Sequence, residues 1–307
     1  MQKTIDSEHH DHGLQSDLLT MAAQLRRRRM LGLMLGAGAT ALLGACGGGS
    51  GDGSAGTSSS GSSSGSSSGT SSGTTTGTTT GATSSGSCVA YPTETNGPYP
   101  SDGSNTVNGS VSNVLLQSGV VRSDIRSSFG SFSGTASGVP LSLTINLMNS
   151  NNTCSVLSGV AIYIWHCTAD GMYSLYSSGA QNQNYLRGVQ VSDANGQVSF
   201  TTIFPGCYSG RYPHIHLEVF RSLALATGAT SSSLISQLAM PAAICSAVYA
   251  GASGYGNSSG NFAATSIAAD NVFGDNSGTQ IAAETPTLSG SVAAGYTGTV
   301  TVGVPLS

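Results

Sequence analysis

The residue types that can do chemistry are concentrated in the segment 205–216, PGCYSGRYPHIH. His214 and His216 are two residues apart, so on a β-strand both imidazoles project from the same face and can bind one metal ion. Tyr208 precedes them on a Pro-Gly loop that can fold back over that face. A phenol loses its proton only near about pH 10, but a hard trivalent cation stabilises the phenolate directly. Tyrosine and histidine without a thiolate therefore favour iron(III) over zinc or copper.

A second tyrosine, Tyr173, follows a predicted strand. Residues 161–166 alternate bulky and small side chains, which is typical of a strand that enters a core. A short turn at Asp170 separates this strand from Tyr173. Between the two tyrosines, the segment 186–204 contains a turn at Asp193–Gly196 and then a further predicted strand. The two tyrosines are thus both expected on loops that follow strands.

Four stretches of the sequence carry a resemblance to a known family. They are TETNGPY at 93–99, IWHCTADGMY at 164–173, LRGVQVSDANGQVSFTTIFPGCY at 186–208 and GRYPHIH at 210–216. With these stretches the chain resembles the intradiol ring-cleavage dioxygenases, which include the iron(III) catechol and protocatechuate dioxygenases, from about Cys88 to the C-terminus. The central stretches are specific, whereas a lone H-x-H would be a weak signal.

The resemblance implies a set of site residues. It makes four side chains the protein ligands of one non-haem Fe(III) per chain: Tyr173, Tyr208, His214 and His216. It makes Arg211 the residue that stabilises the bound catecholate, and it gives Gln237, on weaker grounds, a place in the same pocket. Tyr208 is also expected to take part in catalysis. Trp165 is expected to pack beside the site.

The same resemblance implies a reaction and its partners. A catechol-type aromatic and O2 are the expected substrates, and the ring is cleaved between the two hydroxylated carbons to a cis,cis-muconate-type diacid. Both oxygen atoms of O2 enter the product, so no nicotinamide, flavin or other electron donor is needed. The resemblance does not indicate which catechol is preferred.

Two other functions remain open from the residues alone. One is a non-catalytic surface binding module built on the same fold. The other is a zinc or copper enzyme that uses His214 and His216, which leaves the two well-placed tyrosines unexplained. Single residues also have simpler interpretations. His166 is expected to be a structural histidine, and for Arg122 two roles stay open: a specific task, or holding a loop through a carboxylate.

The fold class predicted for residues 88–307 is an all-β, antiparallel β-sandwich of the transthyretin type with few short helices. Glycine, serine, threonine and β-branched residues dominate this part of the chain, and 220 residues can bury a substantial core. Strands are predicted at Leu141–Met148, Val160–His166, Val198–Phe204, His214–Phe220 and Gly298–Val304. A short helix is predicted within Leu234–Ala250.

The first 87 residues are predicted to be export and linker segments. Arg26–Arg29 precede the short apolar run Met30–Ala45, so residues 1–46 resemble a tail with a twin-arginine export signal. Leu43–Cys46 resembles a bacterial lipobox, and Cys46 is the expected lipid anchor. Residues 47–87 are almost pure glycine, serine and threonine, which predicts a flexible tether. The predicted location is the periplasmic or outer side of a bacterial membrane, with membrane contact only through the lipid.

Charge and cysteine content narrow the partners further. The formal net charge is −4 and the only lysine is Lys3, which argues against nucleic-acid binding. Export permits disulfides, and the sequence leaves their pairing open among five cysteines. These are Cys88, Cys154, Cys167, Cys207 and Cys245.

Overall fold

The computed structural model of the chain describes residues 88–307, the segment predicted as the β-sandwich domain. The export signal, the lipid anchor at Cys46 and the linker, all predicted within residues 1–87, lie outside the described residues. Within residues 88–307, no helix combines the length and the apolar character that crossing a membrane would require.

Residues 88–307 contain eleven strands and three short α-helices. The strands are β1 Asp102–Val107, β2 Ser110–Asn113, β3 Pro140–Asn149, β4 Ser155–Val156, β5 Ala161–Trp165, β6 Arg187–Val191, β7 Gln197–Ile203, β8 His214–Phe220, β9 Leu234–Ala239, β10 Thr287–Ser291 and β11 Gly295–Val304. The α-helices are α1 Ala242–Gly251, α2 Ser258–Ala263 and α3 Gly278–Glu284, and short 3₁₀ turns lie at Leu223–Leu225, Ala229–Ser231 and Ile267–Ala269.

Two sheets form the sandwich. The first has five strands, in the order β10-β11-β3-β4 with β7 paired to β3, and the second has four, in the order β6-β5-β8-β9. Strands β1 and β2 form a separate hairpin. The prediction of an all-β sandwich is confirmed. One pair differs from a purely antiparallel arrangement, because β11 runs parallel to β3 along Tyr296–Val304.

The core between the sheets follows from strand periodicity. In β3 the alternate residues Leu141, Leu143, Ile145 and Leu147 are all buried, while their neighbours are more exposed. Fully burying a side chain of this kind contributes about 1.5–3 kcal/mol, so one face of β3 is a strong determinant of the sandwich.

Strand β8 is buried on both faces, and this places the predicted site. Ile215, Leu217 and Val219 point into the core between the sheets. The alternate set begins with His214 and His216, so these imidazoles lie on the other face of the sheet. A second hydrophobic cluster, which includes Trp165, Tyr173 and Tyr208, covers that outer face. The two histidines are therefore buried beneath loops and not in the main core.

The remaining sequence predictions have mixed outcomes. All five predicted strands are present, and the one at His214–Phe220 has the predicted ends, whereas the other four are shifted at one or both ends. In the segment predicted to hold a helix, Leu234–Ala239 is strand β9, because it pairs with β8, and the helix begins only after Pro241, at Ala242. Among the described cysteines, Cys88 and Cys154 form a disulfide. The three others are free and buried: Cys167, Cys207 and Cys245.

Candidate metal centre

The four predicted ligand side chains meet at one atom, Nε2 of His214. The hydroxyl oxygens of Tyr173 and Tyr208 each lie 3.3 Å from it, and Nε2 of His216 lies 3.1 Å from it. The two histidines come from adjacent same-face positions of β8, while the tyrosines arrive on the loops after β5 and β7. The structure thus brings together two nitrogens and two phenol oxygens from three segments of the chain.

The two tyrosine loops lie against each other, and glycine makes this contact possible. The backbone N–H of Gly206 donates to the carbonyl of Thr168 (3.1 Å), and a Cβ at Gly206 would overlap the carbonyl of Ala169. Gly171 adopts a φ of 90° and faces the Cβ of Tyr208, where its own Cβ would come within 3.1 Å. Gly206 is therefore needed for close packing between the loops.

Both histidines are held neutral, and His214 turns a nitrogen lone pair to the cluster. Burial, and then the charge of Arg211, lowers the pKa of His214 to about 3. Burial, and then His214, lowers the pKa of His216 well below its ordinary value. Nδ1 of His214 donates to the carbonyl of Tyr212 (2.5 Å), which leaves its Nε2 as the lone-pair nitrogen. A neutral imidazole with this orientation is the form that binds a metal ion.

The tyrosines need a cation before they can become phenolates. Burial, and then the neighbouring phenol of Tyr208, raises the pKa of Tyr173 well above its ordinary value. Tyr173 is almost fully buried, whereas Tyr208 is only half-buried. The donor set therefore fits a hard, highly charged cation, because such an ion would offset the cost of two neighbouring phenolates, one of them buried. Among residues 88–307, no group of three or more His, Cys, Asp or Glu forms a metal-binding cluster.

Arg211 and Gln237 lie next to the donor cluster, where the sequence predicted them. Arg211 is buried, and its Nη1 lies 3.5 Å from Nε2 of His214. Its Nη2 donates to Oε1 of Gln237 at 2.8 Å. Gln237 lies directly opposite His216 in the β8–β9 ladder, which explains why a residue of a different strand reaches the site.

Sequence reasoning missed Asp270, the ion-pair partner of Arg211. Nε of Arg211 donates to Oδ2 of Asp270 at 3.0 Å, and both side chains are buried. Burial lowers the pKa of Arg211, but the charge of Asp270 outweighs burial and the net shift is upward, so the guanidinium stays charged. An acidic residue 59 positions away in a loop gives no local signal of this pairing.

The segment 93–99, named here the N-terminal strap, lies against the cluster. Gly97, with a φ of 69°, is so close to His216 that a Cβ there would come within 3.1 Å of Cε1. The ring of Tyr99 packs 4.8 Å from the ring of Tyr173. Nε2 of Gln237 donates to the carbonyl of Thr95 at 3.0 Å. The strap therefore covers the cluster and is tied to it by Gln237.

His166 and Arg122 make structural hydrogen bonds outside the donor cluster. His166 is structural as predicted, since its Nδ1 pairs with the carbonyl of Cys167 (2.8 Å) and its Nε2 with the hydroxyl of Thr202 (2.7 Å). Arg122 holds a loop, as its simpler interpretation predicted. Its Nε and Nη2 donate to the carbonyl of Arg187 at 3.1 and 2.7 Å, and the carboxylate of Asp124 also interacts with it through its charge.

A family model described as Dioxygenase, named Dioxygenase_C, matches residues 124–226. This range contains the four donor residues and Arg211, and it ends before Gln237 and Asp270. No curated protein matches the chain.

Solved structures give a similar result. An intradiol ring-cleavage dioxygenase from Tetranychus urticae is 21% identical, with a TM-score of 0.49, over 72% of this chain and 97% of its own. Another dioxygenase crystal structure is also 21% identical, with a TM-score of 0.50, over 72% of this chain and 96% of its own. Catechol 1,2-dioxygenase from Acinetobacter sp. ADP1, inhibited by bound mercury, is 17% identical, with a TM-score of 0.36, over 59% of this chain and 56% of its own. Of these three neighbours, the one with a TM-score of 0.50 is a dioxygenase whose likeness to this chain, at 21% identity, is a likeness of fold.

Proposed function

We propose that this protein is an Fe(III)-dependent intradiol dioxygenase that cleaves a catechol-type aromatic with O2 to a cis,cis-muconate-type diacid. The observation that carries the proposal is a cluster around Nε2 of His214. The imidazole of His216 and the phenols of Tyr173 and Tyr208 lie within 3.3 Å of this atom, and the buried guanidinium of Arg211 lies beside it. Further support comes from the dioxygenase family model, whose match contains all five of these residues.

The four donor side chains favour Fe(III), and Fe(III) would determine the reaction type. His214 and His216 would supply neutral nitrogens, and Tyr173 and Tyr208 would supply phenolates, to one Fe(III) per chain. Bound there, the ion would act as a Lewis acid that activates the catecholate toward O2. A zinc or copper site built on the two histidines alone leaves both phenols without a purpose.

The protein residues have separate tasks in this proposal. Arg211 places a fixed positive charge next to the donor cluster, where it would stabilise a catecholate and the charge that grows during the reaction. Tyr208 is the more exposed of the two phenols, so it is the group that can take up a proton from the incoming catechol. The N-terminal strap covers the His216 side of the cluster, where it would limit the access of water.

The test is a spectrum combined with oxygen uptake. Protein purified with iron is expected to contain one iron per chain, to absorb in the visible through Fe(III)-tyrosinate, and to consume O2 with at least one of catechol, protocatechuate and hydroxyquinol. Protein loaded with zinc is the matched control and should be colourless and inactive. An iron-loaded protein that is colourless, or that consumes no O2 with any catechol of the panel, would rule out the proposed function.

The proposal includes export and a lipid anchor at Cys46. Its support is the arginine run Arg26–Arg29, the apolar run after it, and the lipobox-like Leu43–Cys46. The disulfide between Cys88 and Cys154 is also typical of an exported protein. Cys46→Ser should move the protein from the membrane fraction to the soluble fraction. If labelled fatty acid does not enter the wild-type chain, the anchor is excluded.

A further inference from the structure

Asp270 provides the buried counter-charge for Arg211. The side chains are 0% and 4% exposed, whereas the ion pair between Asp124 and Arg126 is 50% and 40% exposed. Removing one partner of a buried ion pair leaves an uncompensated charge, so the loss of Asp270 should be costly for Arg211.

The carboxylate of Asp270 is itself fixed by the backbone. Oδ1 accepts from the N–H groups of Val272 (2.9 Å) and Phe273 (3.2 Å), and Oδ2 accepts from the N–H of Tyr212 (2.7 Å). Arg211 adds Nε to Oδ2 (3.0 Å) and Nη2 to Oδ1 (3.4 Å). Five N–H groups around one carboxylate leave it no freedom to rotate, so it is a rigid reference point for the guanidinium.

The opposite edge of the guanidinium faces the donor cluster. With Nε held by Asp270, Nη1 is directed to Nε2 of His214 and Nη2 to Oε1 of Gln237. Asp270 holds two N–H groups of the planar guanidinium, on Nε and Nη2, and two contacts fix its plane. A change at Asp270 therefore alters where Nη1 points. A lysine at this position could not be oriented in this way.

We propose that Asp270 is a positioning residue, which fixes Arg211 so that Nη1 faces the catecholate. This inference rests on the proposed function for its catalytic meaning, but the orientation itself does not depend on iron. Asp270 lies outside the range matched by the family model and does not touch the donor atoms. The proposed effect on the catecholate runs through Arg211, to which Asp270 is hydrogen-bonded.

The experiment compares Asp270→Asn with Asp270→Glu, and uses Asp124→Asn as the matched control. Asn keeps the size of the side chain but replaces one acceptor oxygen with an N–H donor that faces Arg211. We expect Asp270→Asn to retain iron, and to lose roughly 10² in turnover and about tenfold or more in the affinity for catechol measured anaerobically by visible absorption. Asp270→Glu should recover part of both losses. Asp124→Asn, which breaks an exposed ion pair, should change neither.

A double-mutant cycle separates positioning from general destabilisation. Arg211→Met removes the guanidinium, and in that background Asp270→Asn should cause no further loss of catechol affinity, because the group through which it acts is gone. Additive losses in the cycle would overturn the proposal. If Asp270→Asn does not fold, the cycle is run with Asp270→Glu, with the same two outcomes.

A measurement on metal-free protein distinguishes this inference from the proposed function. The Nε–H of Arg211 is identified in a nitrogen–proton NMR spectrum by its absence in Arg211→Met. It should exchange slowly with water in the wild type and at least tenfold faster in Asp270→Asn. Equal exchange rates would overturn the positioning role even if iron and activity are found. If the Nε–H exchanges faster in Asp270→Asn but the protein never binds iron, the positioning of Arg211 by Asp270 is supported and only the proposed dioxygenase function is rejected.

Discussion

The indole ring of Trp165 lies parallel to the imidazole of His216, with ring centroids 4.7 Å apart and 6° between the planes. The two residues are directly opposite each other in the β5–β8 ladder. Within residues 88–307 no group makes a hydrogen bond to Nδ1 of His216. The imidazole is therefore held by stacking on one side and by the close approach of Gly97, and these contacts direct its Nε2 to His214. The sequence prediction that Trp165 packs beside the site is confirmed.

His216→Ala tests whether the second imidazole is needed to bind iron. The variant leaves the Trp165 face without a partner and removes one of two neutral nitrogens, so it should purify with little iron and without visible colour. His166→Ala is the control, because it removes another buried imidazole that only makes hydrogen bonds to Cys167 and Thr202. It should lose stability, by roughly 1–3 kcal/mol for the hydrogen bonds left unmade, and keep its iron. Full iron content in His216→Ala would contradict the ligand assignment.

Part of the donor cluster could be predicted from local pattern. The separation of His214 and His216 by one residue fixes a common strand face, and Tyr208 lies on a nearby Pro-Gly loop. Tyr173 entered the set through the family resemblance. The pairing of Asp270 with Arg211 could not be predicted, because it depends on how a distant loop packs. The same holds for Gly97 against His216, where 119 positions separate the two partners in sequence.

In the fold as well, local features could be predicted from the sequence, whereas pairings between distant segments could not. The strand β3 was predictable from its alternating buried residues. Its parallel pairing with β11 was not, since periodicity indicates which face is buried and not which strand lies alongside. The short helix predicted within Leu234–Ala250 is present from Ala242, but strand β9 before it was not predicted. Its short apolar run LISQLA fits either period, and pairing with β8 makes it a strand.

Arg211→Lys should keep iron and lose turnover. Lysine retains the charge but not the planar fork that contacts Asp270, Gln237 and His214 at once. We expect turnover to fall by roughly 10², the scale seen when one charge-stabilising donor is removed. Steady-state oxygen uptake and iron content are the measurements, and Arg221→Lys, at an exposed arginine, is the control. Unchanged turnover in Arg211→Lys would assign Arg211 a structural role.

Because of the buried carboxyl of Glu284, we expect the free energy of unfolding to fall as the pH rises. Burial, and then the charge of Glu94, raises the pKa of this carboxyl to about 8, from its ordinary 4.5. The folded state then keeps a proton that the unfolded chain releases, so Glu284 contributes stability below about pH 4.5 that is lost as the pH rises toward about 8. Urea unfolding of wild type and Glu284→Gln across this window isolates the group, because all other groups titrate in both proteins. A difference in unfolding free energy that is independent of pH would contradict the prediction.

Tyr208 and Tyr173 should differ in their effect on substrate binding. Catechol must lose two protons to become a dianion, and the half-buried Tyr208 is the phenol placed to take one of them, whereas Tyr173 is buried against Tyr99 and should remain a ligand. Tyr208→Phe should therefore still bind iron with a shifted visible absorption, and it should form the catechol complex roughly 10² more slowly. Tyr173→Phe should instead lose iron more readily and give a catechol complex without tyrosinate colour.

The decisive measurement for the two tyrosines is the visible spectrum of each variant, before and after anaerobic mixing with catechol in a stopped-flow instrument. Tyr212→Phe is the matched control, because its hydroxyl donates to the carbonyl of Met240 at 3.0 Å and to no atom of the donor cluster. It should have the spectrum and the binding rate of the wild type. Formation of the catechol complex by Tyr208→Phe at the wild-type rate would show that Tyr208 does not accept the proton. The same loss of rate in both tyrosine variants, with equal iron content, would show that the difference in burial between the two phenols does not divide their roles.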